Sequence, residues 1–426
     1  MDGRGMKAWR SFTRQDPRRI YSLLIVFCVM ISICFLSHVR PLYCPAPYGK
    51  PRVVLKPEPE RTAELKLVAA ESRKNNYTEV SFAEDDDEDE ENRAIDQNRP
   101  LCHEMSRRAD TCDARGDIRV KSSTNTIFVG QAKEEWEIKP YARKGDSHAL
   151  KHVKQWFLKP FSSSTNNQQT PKCTITKTIP AVIFSIGGYT GNVFHDFTDV
   201  LIPLFITSHQ FHGQVQLLVS DTKPWWVNKY RPILKQLSNH EIVNLDNDGD
   251  AIRCFPRVIT GLHFHKELGI DSSKSPSFYS IADFRALLRK AYALERADAL
   301  VSFFPGSTKR PRLLIISRRR SRSFLNEKAM ADVAASLGFD VTVAEADLGT
   351  EVGKFARLVN SADVLLGVHG AGLTNMVFLP VGAVVIQVVP FGSLEWLARD
   401  TFMKPVEDLE LKYLALRRRI GGEHAN

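Results

Sequence analysis

Val364–Asn375 reads Val-Leu-Leu-Gly-Val-His-Gly-Ala-Gly-Leu-Thr-Asn, and this stretch indicates the fold of the chain most directly. A short apolar run of the strand type ends in a glycine-rich turn, and a stretch compatible with a helix follows. Glycines let the backbone turn sharply and leave its N–H groups uncovered, and the N-terminus of a helix adds a partial positive charge. The stretch therefore predicts a phosphate pocket in an α/β protein, with a plain strand-to-helix turn as the alternative.

Strand and helix patterns alternate on both sides of this stretch. The expected strands are residues 312–317, 339–344, 364–368 and 383–389, and the expected helices are residues 326–337 and 353–360. Such alternation is typical of a parallel sheet flanked by helices. In open sheets of this kind ligands bind at the carboxyl ends of the strands, where Ser317-Arg318 and His369-Gly370 both lie.

The middle of the chain predicts further elements of the same class. Strands are expected at residues 181–185 and 215–220, and helices at residues 192–209 and 280–296. Trp225-Trp226 follows a proline, which favours a helix start at which these rings pack.

The N-terminal part has the composition of a membrane anchor followed by a stem. Ile20–Val39 has no formally charged residue, and about 20 residues at ~1.5 Å each match a hydrocarbon core of ~30 Å. Flanking basic residues favour a cytosolic N-terminus. Residues 40–99 are rich in proline and contain the acidic run Glu84–Glu91, which predicts a disordered spacer. Asn76-Tyr77-Thr78 is a glycosylation sequon, which has meaning only in a lumen.

The cysteines beyond the anchor suggest an oxidising compartment. Cys102 and Cys112 are spaced to close a small loop, and Cys173 is a candidate partner for Cys254. Cys44 is then left over beside the membrane and is a candidate for a bridge between two chains. No pair has the C-x-x-C spacing, which disfavours zinc.

The net charge of +9 suits acidic polysaccharides and nucleotide diphosphates as well as nucleic acid, and a lumenal protein meets no nucleic acid.

A second cluster with chemical potential is Gly187–Asp199, which reads Gly-Gly-Tyr-Thr-Gly-Asn-Val-Phe-His-Asp-Phe-Thr-Asp. Three glycines in five residues predict a close backbone approach. Asn192, His195 and Asp199 then share one face of the helix that follows. A carboxylate one turn from an imidazole can orient the ring and stabilise its charge, so the cluster is a candidate acid–base unit. Capping of the helix start is the alternative.

A third cluster is Ser317–Glu327, in which four arginines directly follow a predicted strand. Guanidinium groups bind diphosphate oxygens in pairs. A solvated basic loop and a nucleic-acid patch are alternatives. The flanking strand and the later glycine turn favour a pocket for a nucleotide diphosphate.

Taken together, Gly187–Asp199, Leu313–Glu327 and Gly367–Pro380 resemble glycosyltransferase family 61, in particular its plant branch of xylan arabinosyl- and xylosyltransferases. The resemblance implies an α/β protein of the GT-B type, with two Rossmann-like lobes behind the transmembrane helix and the disordered stem. The implied boundaries are 1–19 for a cytosolic tail, 20–39 for the anchor, 40–99 for the stem, 100–305 for an acceptor-side lobe and 306–426 for a nucleotide-sugar lobe. Family members usually continue for some tens of residues, so the second lobe is expected to be short at its C-terminus.

The resemblance also implies roles for individual residues. In the family pattern Asn-x-x-His-x-Phe-x-Asp, Asp199 or His195 would be the base that deprotonates the acceptor hydroxyl. The acceptor side is expected to include Gly188, Asn192 and Asp196. The donor side is expected to include Arg318, Arg322, Asn326, His369, Gly370, Ala371, Gly372 and Asn375.

The implied function is inverting transfer of a pentose, arabinofuranose first and xylose second, from a UDP-sugar onto xylan or a xylo-oligosaccharide. No cofactor and no metal are expected, because arginines and a helix end can stabilise the leaving diphosphate. The expected location is the Golgi membrane, with a single-pass type II topology and the catalytic part in the lumen. The alternative is a Golgi-anchored polysaccharide-binding or scaffold protein that kept the fold without the activity.

Overall fold

The computed structural model describes residues 102–106, 108–130, 132–161, 171–300, 309–318, 322–345, 351–390, 392 and 394–417. These residues belong to one compact unit, which spans residues 90–426. The expected anchor, stem, glycosylation site and Cys44 lie outside the described residues, as do Arg319 and Arg320. Among the described residues, no helix combines the length and the apolar character that crossing a bilayer requires.

The first sheet mixes parallel and antiparallel strands. Its ten described strands are β1 (Cys102–Ser106), β2 (Ala109–Lys121), β3 (Thr126–Gly130), β4 (Trp136–Ile138), β5 (Trp156–Phe161), β6 (Ile175–Thr176), β7 (Ala181–Ser185), β8 (Gln216–Ser220), β9 (Val243–Asn244) and β10 (Ile252–Thr260). Their order is β4-β5-β3-β2-β10-β7-β8-β9, with β1 paired to β2 and β6 paired to β10. Strands β10, β7, β8 and β9 run parallel to one another, and β2 runs antiparallel to β10.

The second sheet is parallel throughout its described strands. These are β11 (Arg312–Ile316), β12 (Asp340–Ala344), β13 (Val364–Val368), β14 (Val384–Val389) and β15 (Lys412–Arg417). Their order is β12-β11-β13-β14-β15. The carboxyl ends of β11, β13 and β14 therefore meet at one edge of the sheet.

Helices cover and connect the two sheets. The α-helices are α1 (Ser147–Leu150), α2 (Val193–His195), α3 (Ile202–Ser208), α4 (Pro224–Leu237), α5 (Ile281–Tyr292), α6 (Glu327–Ser336), α7 (Val352–Asn360), α8 (Glu395–Ala398) and α9 (Lys404–Asp408). The π-helical segments are Asp196–Leu201 and Arg399–Met403. The 3₁₀ segments are Ser122–Thr124, His209–Phe211, Leu245–Asn247, Ser272–Lys274, Pro276–Phe278 and Ala371–Phe378.

One hydrophobic core extends over both sheets. It includes Val182 on β7 and Leu365 on β13, both fully buried. Edge-to-face aromatic contacts run through its centre, where the Phe197 ring lies 6.3 Å from that of Phe284 and 5.7 Å from that of Phe378. Phe197 belongs to the π-helical segment after α2 and Phe378 to the 3₁₀ helix after β13. The two segments with predicted chemistry therefore pack into the same core.

The predicted strands and helices of residues 181–389 are present, with differences at their ends. The helix expected at 280–296 is α5, which begins with a capping box between Ser280 and Asp283. It ends at Tyr292 because Ala293 adopts a left-handed conformation, with φ of 52°. The segment after the glycine turn is a 3₁₀ helix of eight residues. Strand β15 was not predicted from the sequence.

Two disulfides link the cysteines that the sequence pairs. Cys102 is bonded to Cys112, and Cys173 is bonded to Cys254. The first bond joins β1 to β2. The second fastens the segment before β6 to β10, across a sequence separation of 81 residues.

Candidate active site

A glycine turn connects β7 to α2. A Cβ atom on Gly187 would lie 2.3 Å from the carbonyl oxygen of His152, and one on Gly188 would lie 2.2 Å from Cζ of Tyr141. Both positions exclude a side chain, as the predicted close backbone approach requires. Asn192 ends the turn and caps α2 by accepting a hydrogen bond at 3.1 Å from the backbone N–H two residues later.

The helix after this turn brings His195 and Asp199 together. Nδ1 of His195 lies 2.9 Å from Oδ2 of Asp199. An ionised carboxylate only accepts hydrogen bonds, so Nδ1 bears the proton and Nε2 of the neutral ring keeps its lone pair. This is the orientation in which an imidazole can accept a proton from a ligand through Nε2.

Asp199 is fully buried and is held by several donors. Arg143 makes a two-pronged contact with it, at 2.8 Å from Nε and 3.0 Å from Nη2. Tyr141 donates its hydroxyl to Oδ2 at 3.0 Å, and Arg108 Nη2 reaches Oδ1 at 3.2 Å. Burial alone would raise the pKa of Asp199, but hydrogen bonds from His195 and Arg143 outweigh burial and lower the pKa below its usual value. Asp199 is therefore an ionised, fully engaged anchor for the imidazole.

The His195 ring is also fixed through its faces and edges. The Tyr189 ring lies 4.5 Å away between centroids, and the Phe194 ring meets it edge-on at 5.4 Å. The side chain is 18% exposed, and Nε2 has no hydrogen-bond partner among the described residues. The only polar atom that this ring presents outward is thus the one with the free lone pair.

Two arginines converge on the glycine turn after β13. Gly370 has φ of 140°, and a Cβ atom there would lie 2.5 Å from Nη1 of Arg318 and 2.8 Å from Nη1 of Arg322. Arg322 donates to the carbonyl oxygen of His369 at 2.8 Å. Nη1 of Arg318 is buried and has no partner within the described residues. Burial and the neighbouring Arg318 lower the pKa of Arg322. Two adjacent guanidinium groups with an unpaired buried donor form a cradle that suits an anion. We call these residues, Arg318, Arg322 and Gly370, the arginine cradle.

His369 lies at the floor of the arginine cradle and is 4% exposed. Its Nδ1 is 2.6 Å from the side-chain nitrogen of Gln387 on the neighbouring strand β14. Burial, followed by the positive charges of Arg322 and Arg318, lowers the pKa of His369 to about 4. The ring is therefore neutral at physiological pH.

The His195–Asp199 pair and the arginine cradle are linked through two aromatic rings, Phe194 and Phe402. Phe402, from the π-helical segment after α8, lies 5.8 Å from the ring of Phe194 and 5.6 Å from the ring of His369. Phe194 in turn contacts His195. Segment α2 also packs against the 3₁₀ helix that follows the glycine turn. A chain of aromatic contacts through Phe194 and Phe402 thus links the His195–Asp199 pair to the His369 end of the arginine cradle.

Other residues expected at the site lie in supporting positions. The Asp196 carboxylate is 1% exposed and accepts from Trp226 Nε1 at 2.8 Å and from the Tyr230 hydroxyl at 2.9 Å, so it lies inside the core. Asn375 is also buried and donates to the backbone of its own 3₁₀ helix at 2.8 Å. Asn326 is exposed at the start of α6, and its side chain makes no hydrogen bond among the described residues. Ala371 and Gly372 continue the turn, where Gly372 packs against β11.

Several residues of the site could not be identified from the sequence. Arg108, Tyr141 and Arg143 precede Asp199 by 91, 58 and 56 residues and come from segments without a recognisable motif. Gln387 and Phe402 follow the glycine turn but sit in ordinary strand and helix patterns. Only their long-range contacts reveal them.

One Asp-x-Asp triplet in the described part of the chain has its carboxylates paired with cations. Asp246 and Asp248 form an Asp-x-Asp triplet, but Lys154 contacts Asp246 at 2.6 Å and Arg253 contacts Asp248 at 2.7 and 2.6 Å. Within the described residues, no group of three or more His, Cys, Asp or Glu side chains is arranged to hold a metal ion.

Comparisons with known proteins place the chain in a family. The family model Glycosyltransferase 61 matches residues 193–386. Beta-1,2-xylosyltransferase XYXT1 of Oryza sativa subsp. japonica is 39% identical over 333 residues, which are 74% of this chain and 70% of that relative. Xylan glycosyltransferase MUCI21 of Arabidopsis thaliana is 32% identical over 419 residues, which are 94% of this chain and 79% of that relative. The chain belongs to glycosyltransferase family 61, which confirms the resemblance read from its sequence.

A third relative is more similar in sequence but much longer. Alpha-1,3-arabinosyltransferase XAT3 of Oryza sativa subsp. japonica is 44% identical over 347 residues, which are 80% of this chain and 59% of that relative. Against three rice relatives at 42 to 44% identity, the chain spans between 54 and 59% of their length.

Proposed function

We propose that this protein is an inverting pentosyltransferase that moves arabinofuranose, or secondarily xylose, from a UDP-sugar onto xylan. The observation that supports this most directly is His195, with a free Nε2, linked through Phe194 and Phe402 to the arginine cradle. The names of the rice and Arabidopsis relatives support the pentose and the xylan acceptor. The mixed α/β architecture with parallel sheets is compatible with a GT-B arrangement, in which the sheet of β11–β15 belongs to the nucleotide-sugar lobe.

In the proposed reaction, Nε2 of His195 takes the proton of an acceptor hydroxyl on xylan. The hydroxyl oxygen forms a bond to the anomeric carbon, and the bond from that carbon to the diphosphate oxygen breaks. UDP leaves with the electron pair, and the proton on His195 passes to solvent. Asp199 does not receive the proton; it holds the ring and stabilises the imidazolium that forms.

The arginine cradle would stabilise the charge that develops on UDP. Guanidinium groups and backbone N–H donors act without a metal, so we propose that transfer is independent of divalent cations. Activity that is lost with a chelator and restored by manganese would contradict this part of the proposal.

The cellular setting is proposed on sequence grounds. A single anchor at residues 20–39 would place the described unit in the Golgi lumen, with Asn76 glycosylated and Cys44 available for a bridge to a second chain. Paired cysteines at Cys102–Cys112 and Cys173–Cys254 are consistent with an oxidising lumen.

The test is to incubate the detergent-solubilised full-length protein with xylo-oligosaccharides and a panel of UDP-sugars, and to measure product mass. We expect a mass increase of one pentose, abolished in His195→Gln and preserved in His240→Gln. His240 is a matched control because it contacts Gln214 at 3.3 Å, outside the site. UDP binding without transfer of any sugar in the panel would support the scaffold alternative instead.

A further inference from the structure

Gln387 is a buried polar side chain in a strand that is otherwise apolar. It lies on β14, opposite Gly367 of β13, and is fully buried. Its neighbours on the same face of the strand include Val385 and Val389. A buried amide costs free energy unless its donors and acceptor are satisfied, so its partners indicate what it does.

The partners of Gln387 form a chain of hydrogen bonds that ends at His369. The Tyr413 hydroxyl on β15 donates to the amide oxygen at 2.6 Å, and the amide nitrogen lies 2.6 Å from Nδ1 of His369. An amide nitrogen can only donate, so Nδ1 accepts and the proton of the neutral ring is on Nε2. Burial raises the pKa of Tyr413 to about 12, so its hydroxyl remains a donor throughout the physiological range.

The surroundings of His369 keep this ring from gaining a second proton. Arg318 and Arg322 face it from the segment after β11, and Phe402 contacts it from the segment after α8. Among the described residues, the charged groups that shift the pKa of His369 are these two arginines, and no carboxylate is one of them. Nε2 of His369 makes no hydrogen bond within the described part of the chain and is not a fully buried atom. The ring thus presents one unsatisfied donor next to the arginine cradle.

We propose that Gln387 is a positioning residue that fixes His369 as a neutral, Nε2-protonated ring which donates a hydrogen bond to the diphosphate of the nucleotide sugar. The diphosphate ligand in this inference rests on the proposed function, whereas the tautomer of His369 rests on the hydrogen bonds of Gln387 alone. The arginine cradle supplies charge, and His369 supplies a directed donor that does not titrate between pH 5.5 and 8. Tyr413 holds the amide of Gln387 in the required orientation.

The tautomer can be measured without any ligand. In protein labelled with ¹⁵N-histidine, the His369 signals are assigned by their absence from His369→Gln. We expect a protonated Nε2 and a bare Nδ1 from pH 5.5 to 8 in the parent protein. In Gln387→Glu the carboxylate accepts from Nδ1–H, so we expect the proton on Nδ1. A parent ring protonated on Nδ1, or a ring unchanged by Gln387→Glu, would overturn the inference.

The ligand is tested by UDP binding, with each variant compared to the parent at the same pH so that the titration of UDP cancels. In Gln387→Glu the imidazolium still donates through Nε2 at pH 5.5, but the neutral Nδ1–H ring cannot donate at pH 8. We expect the ratio of dissociation constants, variant to parent, to rise about tenfold between these pH values. Gln214→Glu, which alters an exposed His–Gln pair at His240, should give a flat ratio.

The outcomes separate the two proposals. A parent protein that does not bind UDP overturns the proposed function and the ligand assigned to His369. A parent protein that binds UDP, with a ratio that stays flat in Gln387→Glu, overturns the role of Gln387 alone. Thermal unfolding of both variants checks that they are folded at each pH.

Discussion

The roles of His195 and Asp199 can be separated by a double-mutant cycle on transfer activity. If the two side chains act as one unit, replacing either one should remove most of what both provide. The single variants are His195→Gln and Asp199→Asn, and the third is their combination. The measured quantity is kcat with a saturating UDP-sugar and xylo-oligosaccharide.

The magnitude follows from the contacts. General-base catalysis contributes between about 10² and 10⁴ in rate, so His195→Gln should reduce kcat about 10³-fold, or ~4 kcal/mol. Asp199→Asn places an amide nitrogen either 2.9 Å from Nδ1, which reverses the ring tautomer, or against Arg108 and Arg143. In either case it removes the negative charge that stabilises the imidazolium. We expect a similar loss, and a double variant that is at most about tenfold slower than either single variant, giving a coupling energy of ~3 to 4 kcal/mol.

Stability must be controlled because Asp199 is fully buried between two guanidinium groups. Breaking such a pair costs about 3 to 5 kcal/mol of folding free energy, so rates are normalised to the concentration of UDP-binding sites. Losses that multiply, to about 10⁶ in the double variant, would refute the reasoning. The reasoning would also be refuted if kcat of His195→Gln stayed within tenfold of the parent value while Asp199→Asn was inactive, because Asp199 itself would then be the base.

Three further predictions concern stability. Gly188→Ala places a Cβ 2.2 Å from Cζ of Tyr141, and calorimetry should show a loss of about 3 kcal/mol, whereas an unchanged melting temperature would contradict the packing. Folding lowers the pKa of Asp199, so the ionised carboxylate stabilises the fold fully well above pH 3.8, and this stabilisation is lost as the pH falls through the folded pKa. Between pH 5 and 2.5 the urea midpoint should therefore fall more steeply for the parent than for Asp199→Asn. Parallel curves for the two proteins would contradict this. Cys173→Ser removes a disulfide that closes a loop of 81 residues, and loop entropy predicts a loss of about 4 kcal/mol in the free energy of unfolding. Cys102→Ser removes one that closes a loop of 10 residues, for which the predicted loss is about 3 kcal/mol. The reverse ranking in denaturant unfolding would contradict the entropic account.

The sequence predicted the central strands β11 and β13 of the second sheet well because they are buried on both faces. Strands such as β13 read as continuous apolar runs, and glycines mark their carboxyl ends. Strand β15 was not predicted because it is an edge strand in which Leu414 and Leu416 are exposed, so its sequence does not alternate between apolar and polar residues. Helix α5 was predicted too long, since the left-handed Ala293 has no signal comparable to a glycine.

Helical spacing identified the His195–Asp199 contact but could not tell it apart from neighbouring polar residues. Asp196 lies on the same helix and was expected to face the acceptor. It instead points into the core, where Trp226 and Tyr230 from α4 bind it. Which of several polar residues on a helix faces a ligand depends on what packs against the helix, and that depends on distant segments.

The two histidines of the site have opposite proposed roles because their Nδ1 atoms meet different partners. At His195 the residue next to Nδ1 is a carboxylate, which accepts and leaves Nε2 basic. At His369 the residue next to Nδ1 is an amide nitrogen, which donates and leaves Nε2 protonated. The partner of His195, Asp199, is four residues away on the same helix, so helical spacing in the sequence predicts the contact. The other lies on an adjacent parallel strand, 18 residues away, and becomes a partner only when β13 and β14 pair. A proton acceptor and a hydrogen-bond donor can therefore be made from the same side chain, and the partner at Nδ1 decides which one results.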